Sequence, residues 1–369
     1  MKIGYDAKRA FLNTSGLGNY SRNTLNALQK YFPDHHYALF SPEVKAAMLE
    51  QQDKFEVVAP EHANSGFKKA IWRSIQLSDE IKDHNLDLFH GLSNELPKGI
   101  HKTSIPTLVT IHDLIFIRYP EFYKTLDRAI YFRKTKYACN VATKILAISQ
   151  QTKDDIIDFI DVEPEKIEIL HQAISPLFFE NANTGKIKEK YKLPNEFILA
   201  VGTVEERKNQ LSIIKALVEK NIKLPLVLVG NPTSYCNDIH KYIAEKQLHN
   251  RVIFLKNIPE ADLVGLYQLA QLSIYISVFE GFGLPVIESM ACGCPVITSK
   301  ASCLPETAGD AAVLCSPQNI EELGNNIEKI LTDTNFRKEL IMKGRVRANE
   351  FQPKKYVEKL ISLYAELLK

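Results

Sequence analysis

Residues 279–288, Phe-Glu-Gly-Phe-Gly-Leu-Pro-Val-Ile-Glu, place two carboxylates on either side of a glycine-rich turn. Gly281 and Gly283 allow a turn whose backbone N–H groups can face a ligand, and Pro285 suits the first turn of a helix. Carboxylates accept hydrogen bonds from sugar hydroxyls, and the amides of a helix start receive phosphate oxygens. The segment therefore indicates a ligand with both hydroxyls and phosphates, the alternative being two solvated glutamates beside a packing turn.

Three other segments contain residues that are suited to the same chemistry. Gly16 and Gly18 open a predicted helix, where glycines let the backbone approach a phosphate, although a plain turn explains them equally well. His112 follows a buried strand, at the sheet edge where open α/β sheets bind ligands, and could equally be a core or capping residue. Arg207 and Lys208 stand between a strand and a helix, where adjacent cations can neutralise a diphosphate or simply form a solvated face.

The elements that must position these residues follow from the alternation of short apolar runs with amphipathic segments of helical length. The predicted strands are 2–5, 37–40, 55–59, 87–90, 107–111, 144–148, 166–170, 197–201, 224–229, 251–255, 272–276, 295–298 and 311–315. The predicted helices are 18–31, 67–84, 124–139, 149–160, 209–220, 235–247, 260–270, 284–292, 319–331, 334–349 and 353–368. Such alternation with β-branched strands predicts parallel sheets flanked by helices.

The chain has 369 residues, which at roughly 150 residues per domain predicts two domains. The apolar pattern fades between 172 and 196, and we interpret that stretch as a linker. Two doubly wound domains are therefore expected, at 1–175 and 190–350.

Composition excludes several classes of protein. Lys plus Arg number 46 against 44 Asp plus Glu, and this balance argues against a nucleic-acid binder. The N-terminus lacks the apolar region of a signal peptide, and no run approaches the ~18 residues of a membrane span, so a cytoplasmic location is the default expectation. The six cysteines lack the C-x2-C pairs of a zinc site, which favours buried free thiols over metal ligands or disulfides.

One segment departs from the even distribution of charge. Residues 118–144 contain seven basic and two acidic side chains, with six aromatic residues interleaved. This pattern is typical of an amphipathic helix that covers a sheet, and it also suits a patch facing a membrane or an acceptor. A smaller case combines Lys68 and Lys69 with Trp72 and Arg73.

Residues 280–298 continue the first motif as Glu-Gly-Phe-Gly-Leu-Pro-Val-Ile-Glu-Ser-Met-Ala-Cys-Gly-Cys-Pro-Val-Ile-Thr. This run resembles the signature of retaining glycosyltransferases of family 4. Residues 16–22 are similar to the family's N-terminal glycine loop, residues 146–152 to a helix start on its interdomain side, and residues 304–308 to the segment after the signature. The resemblance extends over almost the whole chain.

The resemblance implies the α/β architecture called GT-B, in which two Rossmann-like doubly wound domains face each other across a cleft. The first domain would bind the acceptor and the second the nucleotide sugar. A final helix at 353–369 would pack back onto the first domain.

Family roles transfer residue by residue. The resemblance implies that Glu288 binds the nucleotide ribose, that Glu280 contacts hydroxyls of the donor sugar, and that Lys208 binds the diphosphate. It matches His112 to a cleft histidine that contacts the donor sugar near the reacting centre, and it implies that the glycines of residues 16–18 let their loop approach the diphosphate. The backbone amides expected to meet the sugar and diphosphate are those of Gly281, Phe282, Gly283 and Leu284.

One departure from the family pattern bears on charge. Many members have arginine directly after the glycine that corresponds to Gly202, where this chain has Thr203. Arg207 beside Lys208 resembles a subgroup with Pro-Arg-Lys-Asn there, so we infer that Arg207 supplies the missing charge, with Glu206 in place of that proline. The subgroup favours a mannose-type donor.

The resemblance implies retention of anomeric configuration, with Glu280 positioning the sugar and not attacking it. The chain contains no Asp-x-Asp triplet, which fits a reaction in which cations replace a metal ion. We therefore expect no metal and no cofactor besides the donor. The expected activity is hexose transfer to a glycan or lipid-linked acceptor in cell-surface polysaccharide synthesis, in the cytoplasm at the inner face of the membrane.

Two other functions remain open for this architecture. A nucleotide-sugar epimerase of the GT-B type would act on the donor without an acceptor. An inactive nucleotide-sugar-binding subunit would be expected to lack part of the charged set, which is complete here. A nicotinamide dehydrogenase is disfavoured, because no G-x-G-x-x-G directly follows a strand.

Overall fold

The computed structural model describes residues 1–60, 65, 69 and 71–369. The chain divides into two units: unit 1 comprises Met1–Ala173 with Pro353–Lys369, and unit 2 comprises Ile174–Gln352. All thirteen predicted strands are confirmed, each within two residues of its predicted bounds.

Unit 1 contains a parallel sheet of seven strands in the order β3-β2-β1-β4-β5-β6-β7. These strands are β1 Lys2–Asp6, β2 His36–Phe40, β3 Glu56–Val58, β4 Leu88–Gly91, β5 Thr107–Ile111, β6 Lys144–Ala147 and β7 Ile167–Ile169. The α-helices described in this unit are α1 Lys8–Leu12, α2 Gly16–Tyr31, α3 Leu77–Asp83, α4 Ile115–Arg118, α5 Thr125–Val141 and α6 Gln150–Ile160, with the last helix of the chain.

Unit 2 contains a second parallel sheet, of six strands in the order β10-β9-β8-β11-β12-β13. The strands are β8 Ile198–Val201, β9 Leu226–Val229, β10 Val252–Leu255, β11 Leu272–Tyr275, β12 Val296–Ser299 and β13 Val313–Cys315. Its helices are α7 Thr184–Lys190, α8 Gln210–Glu219, α9 Cys236–Glu245, α10 Glu260–Leu269, α11 Leu284–Ala291, α12 Leu304–Ala308, α13 Ile320–Thr332 and α14 Thr334–Ala348.

The composition of the strands explains why the two sheets form. β9 reads Leu-Val-Leu-Val with all four residues buried, as expected where helices cover both faces of a parallel sheet. Some helix starts are capped by side chains: the Ser149 hydroxyl accepts from the backbone N–H of Thr152, and the Asp333 carboxylate accepts from those of Asn335 and Phe336.

The last helix, α15 Pro353–Leu367, belongs to unit 1 although it follows unit 2 in the chain. Its apolar face joins the unit 1 core through residues that include Val357 and Leu360, both fully buried. Two tyrosines add polar anchors, since Tyr356 Oη lies 2.7 Å from Tyr20 Oη and Tyr364 Oη lies 2.7 Å from His90 Nδ1. Buried polar groups with partners of this kind fix the orientation of a packed helix.

The prediction of a linker at 172–196 is wrong. Unit 2 begins at Ile174, and the stretch contains the short helix α7, whose Ile187 is buried against unit 2. The misinterpretation has a physical cause: α7 buries a single apolar side chain, too few to produce a visible periodicity. The helices α1, α4 and α12 were likewise not predicted, because helices of four or five residues are too short to show a repeat.

The predicted helix at 67–84 begins outside the described residues. Lys68, which belongs to the smaller basic patch, also lies outside them. Within the described part, a π-helical turn at Trp72–Gln76 leads into α3. Lys69 pairs with Glu43 at 2.7 Å, and Arg73 pairs with Asp6 and Glu95, so neither side chain offers an unpaired charge to a surface.

All six cysteines are buried and unpaired, which confirms the expectation of free thiols. Within the described ranges, no helix combines the length and apolar character that crossing a bilayer requires.

Replacing Leu360 by alanine tests the packing of α15 on unit 1. Loss of a fully buried leucine costs about 2–4 kcal/mol of unfolding free energy, because a cavity remains where the side chain was. Trp72, the only tryptophan of the chain, is buried in unit 1, so its fluorescence during urea unfolding reports on that unit. Lys359→Ala, at the exposed neighbouring position, should change the same free energy by less than ~0.5 kcal/mol. Equal midpoints for the two variants would contradict the packing.

Candidate functional site

The strand order of unit 2 reverses between β8 and β11, which pair in parallel. In open parallel sheets, ligands bind beyond the carboxyl ends of the strands at such a reversal. The segment after β8 contains Glu205, Arg207 and Lys208, and the segment after β11 contains Glu280. The predicted charged residues therefore meet at the position in this sheet that is best suited to a ligand.

A single carboxylate joins the two cations. Glu280 Oε1 lies 2.6 Å from Lys208 Nζ, and Glu280 Oε2 lies 2.7 Å from an Arg207 guanidinium nitrogen. Arg207 also donates to the carbonyl of Phe279 at 2.7 Å and to Glu205 Oε1 at 2.6 Å. Only 9% of the Glu280 side chain and 12% of the Lys208 side chain are exposed, so this network is largely removed from water.

The network controls the protonation of its members. Burial alone would raise the pKa of the Glu280 carboxyl, but Lys208 and Arg207 outweigh burial and hold that pKa down at about 2. Burial acts to lower the pKa of the Lys208 ammonium, and Glu280 opposes it. Burial also acts to lower the pKa of Arg207, but Glu280 and Glu205 raise it. Glu280 is therefore ionised at neutral pH.

The turn after β11 is held by hydrogen bonds to its backbone. The N–H of Glu280 donates to Ser302 Oγ at 3.0 Å, and the carbonyl of Phe282 accepts from Thr307 Oγ1 at 2.6 Å. Gly283 has a φ of +99°, and a Cβ there would lie 2.5 Å from the Leu304 side chain, so glycine is required. Gly283 is the N-cap of α11. Gly281, Phe282, Gly283 and Leu284 therefore lie around the positive end of this helix.

The second glutamate of the motif lies in α11. Glu288 Oε2 accepts a hydrogen bond from Tyr267 Oη at 3.1 Å. Burial and, to a smaller extent, the charge of Glu260 together raise the pKa of the Glu288 carboxyl to about 8, although the hydrogen bond from Tyr267 acts in the opposite direction. The pKa of Glu288 is therefore shifted in the opposite direction to that of Glu280, which its two cation partners hold low.

The two predicted glycines of unit 1 lie in the first turn of α2. Apart from its chain neighbours and the backbone of its own helix, no atom of the described residues lies within 4 Å of a Cβ built on Gly16, which leaves room for a ligand. A Cβ on Gly18 would lie 1.8 Å from the carbonyl oxygen of Asn13, so this glycine is needed for packing within the chain. The helix α1 stands between β1 and this turn, which explains the long spacing from strand to glycines.

His112 is 5% exposed and uses both ring nitrogens within unit 1. Its Nε2–H donates to the carbonyl of Leu92 at 2.8 Å, and Gln172 Nε2 donates to Nδ1 at 2.9 Å. Burial lowers the pKa of the imidazole to about 4, so the ring is neutral at pH 7. A neutral ring with two occupied nitrogens is suited to shaping a surface, and not to transferring a proton.

Unit 1 has its own reversal of strand order, between β1 and β4, and sequence reasoning missed the charged cluster there. Arg73 lies between the Asp6 carboxylate at 2.6 Å and the Glu95 carboxylate at 2.7 Å. These side chains line a cavity of about 290 Å³ together with Lys134 and Tyr137. The detectable signal was Asp6 itself, a carboxylate at the end of an apolar strand.

Across the described part of the chain, no group of three or more His, Cys, Asp or Glu side chains is arranged to hold a metal ion.

Two protein families match this chain, one over its N-terminal half and the other over its C-terminal half. The family described as Glycosyltransferase Family 4 matches residues 14–176, and the family described as Glycosyl transferases group 1 matches residues 183–347. The O-antigen chain mannosyltransferase B of Escherichia coli is 28% identical over 77% of this chain and 75% of its own length. The serotype-specific mannosyltransferase WbdA of the same species is 30% identical over 78% of this chain, which spans only 38% of that protein.

A solved structure shares the fold along the whole chain. The HepE protein of Anabaena, determined in complex with UDP-glucose, superposes with a TM-score of 0.78 at 19% identity, over 99% of this chain and 100% of that one. Two parallel-sheet units with flanking helices and these family matches lead to one conclusion: the chain belongs to the family 4 (group 1) glycosyltransferases and has the GT-B fold.

Proposed function

We propose that this glycosyltransferase moves a hexose, with mannose favoured, from a nucleoside-diphosphate sugar to a glycan or lipid-linked acceptor in cell-surface polysaccharide synthesis. The observation that carries the proposal is the buried cluster of Glu280, Lys208 and Arg207 at the strand reversal of unit 2, beside the positive end of α11. The mannosyltransferase names of the E. coli relatives support the choice of sugar.

In this proposal the cations and α11 act on the leaving group. Departure of a nucleoside diphosphate builds negative charge on its β-phosphate, and fixed positive groups lower the barrier. Lys208 and Arg207 supply that charge without a metal ion, and the α11 amides from Gly281 to Leu284 add a partial positive charge. Glu288 accepts the ribose hydroxyls. In unit 1, the open position at Gly16 suits a phosphate oxygen at the start of α2.

We infer retention of configuration by a reaction on one face of the sugar, without a protein nucleophile. Both oxygens of the Glu280 carboxylate are paired with cations, at 2.6 and 2.7 Å, and this pairing weakens the carboxylate as a nucleophile. Glu280 is instead suited to hold sugar hydroxyls in register with the cations. His112, neutral and held from both nitrogens, would border the donor sugar.

Helix α5 supports a further proposal, that unit 1 attaches to an anionic membrane surface. Leu126 is 73% exposed, and Ile130, Tyr131 and Phe132 are also exposed large apolar side chains. Basic residues stand among them, including Arg133. Exposed apolar groups flanked by cations suit a bilayer with anionic headgroups. We therefore propose that the enzyme acts at the inner face of the membrane.

A donor panel tests the activity. UDP-, GDP-, dTDP- and ADP-sugars are screened for thermal stabilisation, and we expect the largest shift from a mannose-bearing member. The stabilising donor is then incubated with and without acceptor. A new sugar formed from the donor alone would indicate an epimerase, and binding without any turnover would indicate an inactive subunit.

Replacing Lys208 by alanine should lower kcat/KM for transfer at least 30-fold. The physical reason is loss of a cation that opposes the charge of the leaving diphosphate, worth at least ~2 kcal/mol in the transition state. Lys241→Ala, at an exposed position of α9, is the matched control and should transfer like the wild type. Near-normal transfer by Lys208→Ala would rule out the assigned site.

Donor affinity should rise with pH. In the protein without donor the pKa of the Glu288 carboxyl is about 8, so this group is mostly protonated at pH 7. The ionised form is the one that accepts both ribose hydroxyls. Titration calorimetry should show binding about tenfold tighter at pH 9 than at pH 7, with proton release. Glu288→Gln should bind with a flat profile, and Glu260→Gln should move the rise to lower pH. A flat wild-type profile would contradict the ribose role of Glu288.

The membrane proposal is tested by cosedimentation with phosphatidylglycerol vesicles. We expect binding at low salt that weakens as salt screens the headgroups. Leu126→Asp together with Ile130→Asp should abolish the binding, whereas Met342→Asp, which alters a 64% exposed side chain of unit 2, should leave it unchanged. Equal binding by all variants, or none by the wild type, would disprove attachment through α5.

A further inference from the structure

Tyr275 is the last residue of β11, next to the candidate site, and is 5% exposed. Its phenol oxygen accepts a hydrogen bond from Lys208 Nζ at 2.5 Å. The same ammonium lies 4.7 Å from the centroid of the Tyr275 ring. The tyrosine therefore contacts the lysine through both its hydroxyl and its aromatic ring.

The ring also supports the two loops that form the site. A Cβ built on Gly202, after β8, would lie 3.8 Å from one edge atom of the ring. A Cβ built on Gly283, after β11, would lie 3.8 Å from another. Both glycines have positive φ angles, of +139° and +99°. Tyr275 thus stands at the point where the turns from two neighbouring strands approach each other.

The hydrogen-bonding capacity of Lys208 shows what the tyrosine contributes. An ammonium has three N–H donors. One is directed to Tyr275 and one to Glu280 Oε1, at 2.6 Å, and the described residues supply no acceptor for the third, which can therefore serve a ligand. Glu280 neutralises the lysine charge, whereas the neutral phenol holds the nitrogen without neutralising it.

This difference matters because lysine has a long and flexible side chain. Four rotatable bonds separate its nitrogen from the backbone, and a group that acts on a developing charge must already be in position. An uncharged acceptor fixes the direction of the third N–H and preserves the charge that a phosphate needs.

We propose that Tyr275 is the positioning residue that holds Lys208 toward the diphosphate of the donor, acting through its phenol hydroxyl. The proposal rests on the proposed function of Lys208 and adds a residue to it. Tyr275 is buried and its hydroxyl holds Lys208, so we expect the hydroxyl to act through the lysine.

A double-mutant cycle tests this dependence. Tyr275→Phe removes the hydroxyl and keeps the ring that supports Gly202 and Gly283. We expect kcat to fall 5- to 20-fold with a smaller change in donor KM. In a Lys208→Ala background, the same substitution should change kcat less than twofold. An equal loss in both backgrounds would indicate a purely structural role and overturn the proposal, as would wild-type activity of Tyr275→Phe.

The matched control is Tyr242→Phe. Tyr242 stands in α9, where its ring lies 5.9 Å from the ammonium groups of Lys215 and Lys246. This control removes a phenol hydroxyl from another tyrosine–lysine contact of the same unit, and we expect unchanged kcat.

A measurement without donor separates this proposal from the proposed function. Lys208 acetylation by an N-hydroxysuccinimide ester is followed by mass spectrometry, with the exposed Lys241 as internal reference. Release from Tyr275 should speed Lys208 acetylation at least threefold in Tyr275→Phe and leave Lys241 unchanged. Unchanged Lys208 reactivity would overturn the contact. Failure of the wild type to bind or transfer any nucleotide sugar would instead refute the proposed function, and the acetylation ratio would still decide the role of Tyr275.

Discussion

The candidate site of unit 2 depends on one buried negative charge. Glu280 gives one carboxylate oxygen to Lys208 and the other to Arg207. Without it Lys208 would lose its carboxylate partner and Arg207 would keep only Glu205, in a site with little water. A buried cation without its partner is costly. Arg207 extends the effect to the backbone, because its guanidinium donates to the carbonyl of Phe279 and its own carbonyl accepts from the N–H of Val278. The loops after β8 and β11 are joined as a result.

This arrangement requires the order of the strands. The glutamate and the lysine are separated by 72 residues, and they meet only because β8 and β11 are neighbours although β9 and β10 lie between them in sequence. A reversal of strand order leaves an opening between the two connections, and glycines in the segments after both strands, such as Gly202 and Gly283, allow the backbone to approach it. The chemistry of the site is thus a consequence of topology as much as of residue type.

The sequence predicted the strands well because a buried parallel strand is a compact apolar run, and it predicted Glu280 and Lys208 because their motif places charge after such runs. It failed where local pattern carries little information. The helix α7 buries one apolar side chain, so its sequence pattern resembles that of a linker. Tyr275 ends an apolar strand, a pattern that indicates a core residue. Only the three-dimensional contact with Lys208 distinguishes it from the other residues of the core. Arg73, Asp6 and Glu95 are distant in sequence, so no linear motif joins them, and Asp6 at the end of an apolar strand is the one member that the pattern indicates.

The return of α15 to unit 1 has a consequence for synthesis of the protein. Val357, Leu360 and Tyr364 complete a core whose other residues are translated some 200 to 350 positions earlier. Domains generally fold as units during translation, beginning with the N-terminal one. Here that order is reversed, since unit 2 has all of its residues once Gln352 has emerged, whereas unit 1 must wait for a helix made after it. The apolar surface that α15 covers in unit 1 is therefore left open while Ile174–Gln352 is synthesised, and transiently exposed apolar surface of this kind favours aggregation.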